Sequence, residues 1–355
     1  VRTDLDALPA YVAGKPAAIG PAGRSFKLSS NELPWPLDPA VTAAAHVAAA
    51  GSNRYPNVVG AALVAALAER LSVAEERVIV GGGSISLLQL LVQAVTEPGD
   101  AVVHAWRSYE AYPIVIPVSR AVSVAVPLAG ARHDLPAMAA AVRRSGAKMV
   151  IVCSPNNPTG SAVGSAEWRE FVAAVPEDCL IVLDEAYIEF HDGADQVDAL
   201  AFARDHGNVA VLRTFSKAHA LAGLRVGYGI APSTVARAVQ RIALPFAVSA
   251  VAEAAAIAAL SIWPRQRERV AEIVARRHEF TTGLRRAGFE IPDSYANFVW
   301  LPLGAAASSL DDALRGAGIS ARTFPGEGVR ITIGETDAMV AALEVASRWR
   351  AEHLA

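Results

Sequence analysis

The sequence predicts an α/β protein, with a mostly parallel central sheet covered by helices and a smaller α+β domain at the C-terminal end. Short apolar runs alternate with helical stretches between about residues 78 and 230. Most runs have four or five residues and are bounded by Gly, Pro or Asp, as expected for strands buried on both faces of a parallel sheet. Beyond residue 233 the pattern changes to helices, followed by two further apolar runs.

The elements follow in chain order. Prolines and glycines are frequent from residue 11 to 40, so residues 1–40 are expected to form an extended arm. Helical spacing begins at Pro39 and returns over Ala61–Leu71. The strands of the central sheet are predicted at Arg77–Val80, Ala101–Val103, Val122–Val126, Met149–Val152, Leu180–Leu183, Val209–Leu212 and Val226–Ile230.

The C-terminal part is expected to be a separate, smaller domain. Residues 233–290 predict helices, and the runs Phe298–Leu301 and Val329–Ile333 predict its strands. We therefore divide the chain into an arm (1–40), a large domain (41–245) and a small domain (246–355).

Composition narrows the classes of function. The 355 residues include 32 Lys and Arg against 35 Asp and Glu, so neither nucleic acid nor an anionic membrane is an expected partner. Apolar residues make up 53%, which excludes a disordered chain. Only Cys153 and Cys179 are present, which excludes a disulfide scaffold and any metal site of three thiolates. No histidine spacing predicts a metal site.

Two segments bear on location. Val1–Ala10 is charged and lacks the apolar core of a signal peptide. Pro245–Trp263 is mostly alanine and contains Glu253, so it falls short of a membrane span. We therefore expect a cytoplasmic protein.

In an α/β sheet, ligands bind beyond the carboxyl ends of the strands, so the residues that follow the apolar runs are the candidates for a binding site. Lys217 lies in a Thr-x-Ser-Lys turn directly after a strand. It is either a solvated surface charge or a Schiff-base amine, whose pKa can fall in a desolvated site. Thr214, Ser216 and Arg225 around it supply two hydroxyls and a cation that suit a phosphate.

Asp184 directly follows the run Leu180–Leu183 and is expected to be buried. A buried carboxylate is costly unless it meets a cation. It could cap a helix, pair with an arginine, or keep the ring nitrogen of pyridoxal phosphate protonated. Tyr187 follows three residues later, within reach of the phenolic oxygen of such a cofactor.

Three weaker signals follow other strands. Asn157 lies in the rigid turn Pro155–Gly160, where it could donate to a flat ligand or serve the turn alone. The turn Gly81–Gly83 opens a helix and could bind an anion. Tyr109 is either a core aromatic or a ring that stacks on a flat cofactor.

Together and in this order, these residues follow the pattern of fold-type-I pyridoxal-phosphate enzymes. Over essentially its whole length the chain resembles the histidinol-phosphate aminotransferase family, at Asn31–Glu32, Arg54–Pro56, Pro155–Gly160, Asp184–Tyr187, Ala220–Arg225, Ala296–Phe298 and Val329–Ile333. Trp106–Pro113 and Ala296–Leu303 are most similar to its actinobacterial aromatic amino acid (phenylalanine) aminotransferase branch.

The resemblance implies roles for the residues around the cofactor ring. Lys217 would bond to the cofactor and carry the proton at the substrate Cα. Asp184 would pair with the ring nitrogen, and Asn157 and Tyr187 would hold the phenolic oxygen. Tyr109 would stack on the ring. Of these, Lys217, Asp184 and Tyr187 are the predicted catalytic residues.

It also implies a phosphate site and a substrate site. The phosphate site would comprise Gly83, Ser84, Ile85, Thr214, Ser216 and Arg225, together with Tyr55 from a second subunit. Ile85 stands where the family often has an acidic residue, so only its backbone is expected to contribute. The substrate site would comprise Arg330 for the α-carboxylate, with Asn31, Arg322 and Tyr11 nearby.

The implied activity moves the amino group of Phe, Tyr or Trp to 2-oxoglutarate in a homodimer. Arg322 is hypothesised to meet the distal carboxylate of the dicarboxylate, although the resemblance also places it near a substrate phosphate. Transamination of histidinol phosphate therefore remains an alternative. A pyridoxal-phosphate decarboxylase of an amino-acid phosphate and a non-catalytic α/β binding module are more distant ones.

Overall fold

The computed structural model describes residues 6, 8–10, 14, 18–21 and 23–353. Its helices are α1 (Pro39–Ala50), α2 (Ala61–Leu71), α3 (Ser84–Val95), α4 (Tyr112–Val118), α5 (Leu135–Ser145), α6 (Ser165–Ala174), α7 (Ala199–Asp205), α8 (Ser233–Ile242), α9 (Ala250–Ser261), α10 (Trp263–Arg286), α11 (Ala307–Gly316) and α12 (Thr336–His353). Its strands are β1 (Phe26–Lys27), β2 (Val78–Gly81), β3 (Ala101–Trp106), β4 (Val122–Pro127), β5 (Met149–Cys153), β6 (Leu180–Asp184), β7 (Val209–Thr214), β8 (Gly227–Ile230), β9 (Phe298–Leu301), β10 (Ile319–Ser320), β11 (Arg322–Phe324) and β12 (Gly328–Thr332).

Helix starts follow capping chemistry. The Asp38 side chain accepts a hydrogen bond from the Ala40 amide, and Pro39 occupies the first turn of α1, where no amide hydrogen is needed. Ser249 caps α9 in the same way by accepting from the Ala252 amide. The predicted bounds of α2 agree with the structure.

The central sheet confirms the predicted α/β class. Its seven strands run in the order β2-β8-β7-β6-β5-β3-β4, and all pairs are parallel except the two made by β8. Every residue of β5 and β6 is buried. In β5, Val150 and Val152 join the hydrophobic cluster on one face of the sheet, and Met149 and Ile151 join that on the other. Burial on both faces explains why these strands appear in the sequence as unbroken apolar runs.

A second, three-stranded sheet lies in the C-terminal part. It is antiparallel in the order β11-β12-β9 and forms a separate hydrophobic cluster with α10, α11 and α12. Strand β1 pairs in parallel with β10, which ties residues 26–27 of the predicted arm to this part of the chain. The sequence analysis did not predict β1, β10 or β11, which have two or three residues each.

The Ala-rich segment after Pro245 forms α9, which packs against α1 within the hydrophobic cluster of the central sheet. Ala252, Ala255, Ala256 and Ala259 are buried there, as expected for an Ala-rich helix between other elements. The division of the chain at residue 245 stays a prediction. No helix among the described residues has the length and apolarity needed to cross a membrane.

Candidate active site

A cavity of about 180 Å³ lies where the central sheet meets the small sheet. The last residues of three adjacent parallel strands line it: Cys153 of β5, Asp184 of β6 and Thr214 of β7. This is the edge at which ligands bind in α/β sheets. The cavity brings together thirteen of the predicted site residues: Asn31, Ser84, Ile85, Tyr109, Asn157, Asp184, Tyr187, Thr214, Ser216, Lys217, Arg225, Arg322 and Arg330.

Among the described residues, no cationic side chain pairs with the buried carboxylate of Asp184. Its Oδ2 atom accepts a hydrogen bond from the Tyr112 hydroxyl at 2.8 Å, while the buried Oδ1 has no side-chain or backbone donor in this part of the chain. Burial raises the pKa of the carboxyl to about 6, although the Tyr112 hydrogen bond opposes this. In residues 23–353, Asp184 neither caps a helix nor pairs with an arginine, so Oδ1 is available to a ligand in the cavity.

Lys217 faces the same cavity from the turn after β7. Its ammonium nitrogen donates to the Ser30 carbonyl oxygen at 3.0 Å and lies 5.9 Å from the centre of the Tyr187 ring. Burial lowers the pKa of the amine to about 7, helped by the positive charge of Arg330. A lysine with this pKa is substantially neutral near pH 7, as a nucleophile or proton carrier requires. Lys217 thus lines the cavity, and its role as a Schiff-base amine stays a prediction.

The start of α3 forms an anion cradle with Arg225. Gly83 precedes the helix at φ +95°, a backbone conformation that favours glycine, and a Cβ atom there would lie 2.6 Å from Nη2 of Arg225 and displace that guanidinium. The Arg225 guanidinium donates to the Ser216 hydroxyl at 3.3 Å, and the Thr214 hydroxyl accepts from the Ser216 amide at 3.0 Å. Free amides at a helix start, a guanidinium and hydroxyls together suit a phosphate group.

Two residues of the cavity lining have a left-handed backbone conformation. Arg225 has φ 55° and Asn31 has φ 54°, a region that non-glycine residues seldom adopt. Such residues persist where the surroundings hold them, and they concentrate at functional sites. The local cost is consistent with selection for the position of these two side chains.

The small sheet presents two arginines side by side. In the ladder between β11 and β12, Arg322 lies directly opposite Arg330, so both side chains stand on the same face. The Arg330 guanidinium donates to the Asn157 side-chain oxygen at 2.5 Å and to the Ser29 carbonyl at 2.7 Å, and it lies over the Phe298 ring. These contacts fix a cation at the wall of the cavity.

Arg322 is engaged by a residue that the sequence analysis did not single out. Its guanidinium forms an ion pair with Glu110, at 2.6 and 2.7 Å from Nη2 to the two carboxylate oxygens. Both side chains line the cavity. Glu110 follows Tyr109 in the segment Trp106–Pro113, but nothing in the sequence indicated its pairing with a residue of the small sheet.

Asn31 and Tyr187 belong to one hydrogen-bond network. The Asn31 amide nitrogen donates to the Tyr187 hydroxyl at 2.9 Å, and its carbonyl accepts from the Thr332 hydroxyl at 3.0 Å. Burial raises the pKa of the Tyr187 hydroxyl well above its usual range, so it is neutral at physiological pH. The arm, the central sheet and the small sheet thus meet at this network.

Three tyrosines differ in their position relative to the cavity. Tyr109 lines the cavity and packs edge-on against Tyr112, whose hydroxyl holds Asp184. The sequence analysis missed Tyr112, although it lies in the same segment. Tyr55 is outside the cavity lining and 83% exposed, stacked on Phe246.

The remaining predicted residues fall as follows. Gly83 borders the cradle without lining the cavity, and Tyr11 lies outside the described residues. His219, to which no catalytic role was given, is buried between Phe215 and Trp263. Burial lowers the pKa of its imidazole to about 3, so it stays neutral. In the described part of the chain, no group of His, Cys, Asp or Glu side chains is arranged for a metal ion.

These residues fit the expected cofactor by their chemistry. The unpartnered Oδ1 of Asp184 would meet a protonated ring nitrogen, and the cradle at Arg225 would hold a phosphate. Lys217 is the amine within the same cavity. Asn157, Tyr187 and Tyr109 line the space between them.

Comparison with known proteins gives three consistent findings. The model of the family "Aminotransferase class I and II" matches residues 24–345. The chain is 46% identical over 354 residues to the aromatic amino acid aminotransferase of Streptomyces coelicolor, covering 99% of this chain and 98% of that protein. It is 48% identical over 346 residues to the Thermobifida fusca protein of the same name, covering 98% and 96%.

Among solved structures, the chain is similar to histidinol-phosphate aminotransferase from Sinorhizobium meliloti in complex with pyridoxal-5'-phosphate. The two share 30% identity with a TM-score of 0.86, over 93% of this chain and 92% of that one. The predicted fold type I is thereby confirmed.

Proposed function

The chain belongs to the class I and II aminotransferases, and from this premise we propose that it transfers the amino group of an aromatic amino acid to a 2-oxo acid. Pyridoxal 5'-phosphate is its cofactor. The aromatic donor is supported by the names of relatives at 46% and 48% identity. We propose 2-oxoglutarate as the acceptor, because a second arginine lies beside Arg330.

One observation carries the proposal. The buried, unpartnered Oδ1 of Asp184 and the amine of Lys217 open on the same cavity, and burial moves the pKa of each towards neutrality. A folded protein tolerates such costs where a ligand compensates them. A binding module without catalysis has no need of an amine whose pKa is lowered to about 7.

Each residue has a proposed task. Arg330, fixed by Asn157 and the Ser29 carbonyl, would bind the α-carboxylate that both substrates share. Lys217 would accept the proton of the substrate Cα and deliver it to the C4′ carbon of the cofactor, because its pKa lies near neutral pH. Asp184 would keep a proton on the ring nitrogen, and the Tyr112 hydroxyl would hold its carboxylate in place.

The bound cofactor supplies an electron-withdrawing ring that stabilises negative charge at the substrate Cα. Tyr187 would donate a hydrogen bond from a hydroxyl that stays neutral at physiological pH. Arg225 and the start of α3 would hold the phosphate and so fix the ring relative to Lys217.

Transamination of histidinol phosphate is a second candidate. Arg322 stands where a phosphate on the substrate could reach it, and the similar structure from Sinorhizobium meliloti is a histidinol-phosphate aminotransferase. The Glu110 carboxylate against Arg322 weighs against a dianion at this position.

A homodimer and a cytoplasmic location are also proposed. The dimer is supported by an exposed apolar patch that comprises Tyr55, Val58, Val59, Ile242, Leu244 and Phe246. The resemblance places Tyr55 across such an interface, at the phosphate of the partner's site.

The deciding experiment compares kcat/KM for phenylalanine and for histidinol phosphate, each with 2-oxoglutarate. We expect phenylalanine to be preferred and phenylpyruvate to accumulate with glutamate. A preference for histidinol phosphate would establish the second candidate. Release of carbon dioxide without an oxo acid would instead identify a decarboxylase.

A further inference from the structure

The ion pair between Glu110 and Arg322 joins two walls of the cavity, one next to the central sheet and one formed by the small sheet. Glu110 lies on the loop between β3 and α4, and Arg322 begins β11 of the small sheet. The arginine side chain is 11% exposed and the glutamate 24%, so the pair is only partly solvated. Both atoms of the carboxylate face the guanidinium, at 2.6 Å and 2.7 Å from the same nitrogen.

The pair controls the charge beside the α-carboxylate site. Arg322 lies directly opposite Arg330 in the β11–β12 ladder, so the cavity wall carries two neighbouring guanidinium groups. Arg330 donates hydrogen bonds to neutral oxygen atoms of Asn157 and Ser29. Glu110 forms an ion pair with Arg322 and so lowers the positive charge beside Arg330 by one.

We propose that Glu110 is a specificity-determining residue, an internal carboxylate that occupies Arg322 when the substrate side chain is uncharged and competes with any substrate that carries a second anionic group. This inference rests on the proposed function. An aromatic side chain would meet a neutral ion pair. A distal carboxylate or phosphate would have to displace Glu110 from Arg322 and would be repelled by it in the meantime.

The physical reason is the cost of an unpaired charge. An arginine that is nine-tenths buried beside an apolar ring is destabilising without a counter-ion. Glu110 supplies that counter-ion within the chain, so the enzyme can bind phenylalanine without leaving Arg322 uncompensated. A dicarboxylate can bind Arg322 only if this ion pair is broken. Its affinity is therefore lowered, since charge-assisted bonds of this geometry are strong.

The chain offers a matched control nearby. Arg107 and Glu327 form a second ion pair between the same loop and the β11–β12 hairpin, with a bond of 2.8 Å from Nε to the carboxylate. Neither residue lines the candidate active site. Glu327→Gln therefore removes a second ion pair between the same loop and hairpin while leaving the Glu110 carboxylate on Arg322 in place.

The test measures the binding of two inhibitors to the holoenzyme by calorimetry. Glutarate has a second carboxylate, whereas 3-phenylpropionate has an aromatic ring in its place. In Glu110→Gln we expect glutarate to bind about ten-fold more tightly, as one charge-assisted hydrogen bond becomes available. The affinity for 3-phenylpropionate should stay within about two-fold, and kcat/KM for histidinol phosphate should rise about ten-fold on the same grounds.

Glu327→Gln should leave both affinities within about two-fold of the parent. The inference is overturned if Glu110→Gln leaves the ratio of the two affinities unchanged, or if Glu327→Gln changes it equally. Calorimetry needs no turnover, so this outcome differs from failure of the proposed function, in which the parent enzyme would not convert phenylalanine at all. Thermal unfolding of both variants confirms that they are folded.

Discussion

At the scale of single residues, Asp184 and Lys217 hold formal charges in a place that disfavours both. Burial raises the pKa of the aspartate to about 6 and lowers that of the lysine to about 7. Neither charge is paired with the other in the described structure, since the lysine donates to the Ser30 carbonyl and the aspartate accepts from Tyr112. The site is therefore costly to the cofactor-free protein and prepared for a ligand with complementary charge.

Asp184→Asn should make the cofactor-free protein more stable at neutral pH. Because the folded-state pKa of Asp184 is raised from 3.8 to about 6, the folded protein loses stability as the pH rises between these values. A shift of this size corresponds to at most about 3 kcal/mol. The difference in free energy of unfolding between variant and parent should therefore grow from pH 4 to pH 6 and then level off. Chemical denaturation at several pH values measures it, and a difference independent of pH would contradict the buried charge.

Lys217→Ala should abolish transamination while leaving the fold intact. Removal of the proposed proton carrier is expected to lower kcat with phenylalanine by about a thousand-fold or more. Lys148→Ala is the matched control, because Lys148 is an exposed lysine paired with Asp178. Steady-state kinetics and circular dichroism give the comparison. Turnover at the parental rate would remove the basis of the proposed mechanism.

At the scale of elements, the turn between β2 and α3 depends on one glycine more than on its neighbour. Gly83 has φ +95°, and a methyl group there would meet the Arg225 guanidinium at 2.6 Å. Gly82 lies in ordinary contact, with its nearest atom 3.7 Å from an added Cβ. A methyl group at Gly83 would therefore displace the Arg225 guanidinium, whereas one at Gly82 would not.

Gly83→Ala should weaken cofactor binding by about ten-fold or more, because a non-glycine residue at φ +95° and ψ 158° costs roughly 1–3 kcal/mol. Gly82→Ala should bind almost as the parent does. Titration of the cofactor-free variants with pyridoxal phosphate, followed by absorbance, provides both affinities. Equal losses of affinity in the two variants would show that the turn is sensitive at both glycines. Unchanged affinity in Gly83→Ala would contradict the proposed role of Arg225 in phosphate binding.

The strands of four or more residues were all predicted from the sequence, whereas the strands of two or three residues were missed. Strands such as β9 agree with their predicted bounds because burial on both faces leaves an apolar run. Strands β10 and β11, with two and three residues, are too short to leave a pattern. Their positions depend on pairing with β1 and β12, which no local sequence encodes.

The candidate site was predictable where residues follow strands, and unpredictable where two remote residues meet. The carboxyl ends of β5, β6 and β7 led directly to Asn157, Asp184 and Lys217. Glu110 and Tyr112 were missed because their importance comes from tertiary contacts, to Arg322 and Asp184 respectively.

At the scale of the whole molecule, the exposed apolar patch is a candidate interface with a second protein chain. Tyr55 is 83% exposed and stacks on Phe246, and Leu244 is 77% exposed and lines a surface groove with Val58 and Val59. Such a group of exposed apolar side chains is unusual in a monomeric protein. A second copy of the chain would cover them, and a stable interface needs roughly 1,000 Å² of buried surface in total.

Leu244→Asp should convert the proposed dimer into monomers at micromolar concentration, because a charge in the centre of an apolar interface is costly. Val340→Asp is the control, since Val340 is an exposed apolar residue on α12, outside this patch. Sedimentation velocity distinguishes the two states. A dimer that persists in Leu244→Asp would place the interface elsewhere.

The hairpin formed by β11 and β12 carries both cavity-facing arginines, while the residues proposed to hold the cofactor lie on the central sheet and the turns next to it. Substrate recognition is therefore proposed to draw on two stretches of the chain, this hairpin and the loop that carries Glu110. Exchanging residues 322–330 between relatives would transfer the part of the substrate-binding surface that this hairpin forms. New amino acceptors could arise in evolution by variation of this short hairpin, without disturbing the groups that perform the reaction.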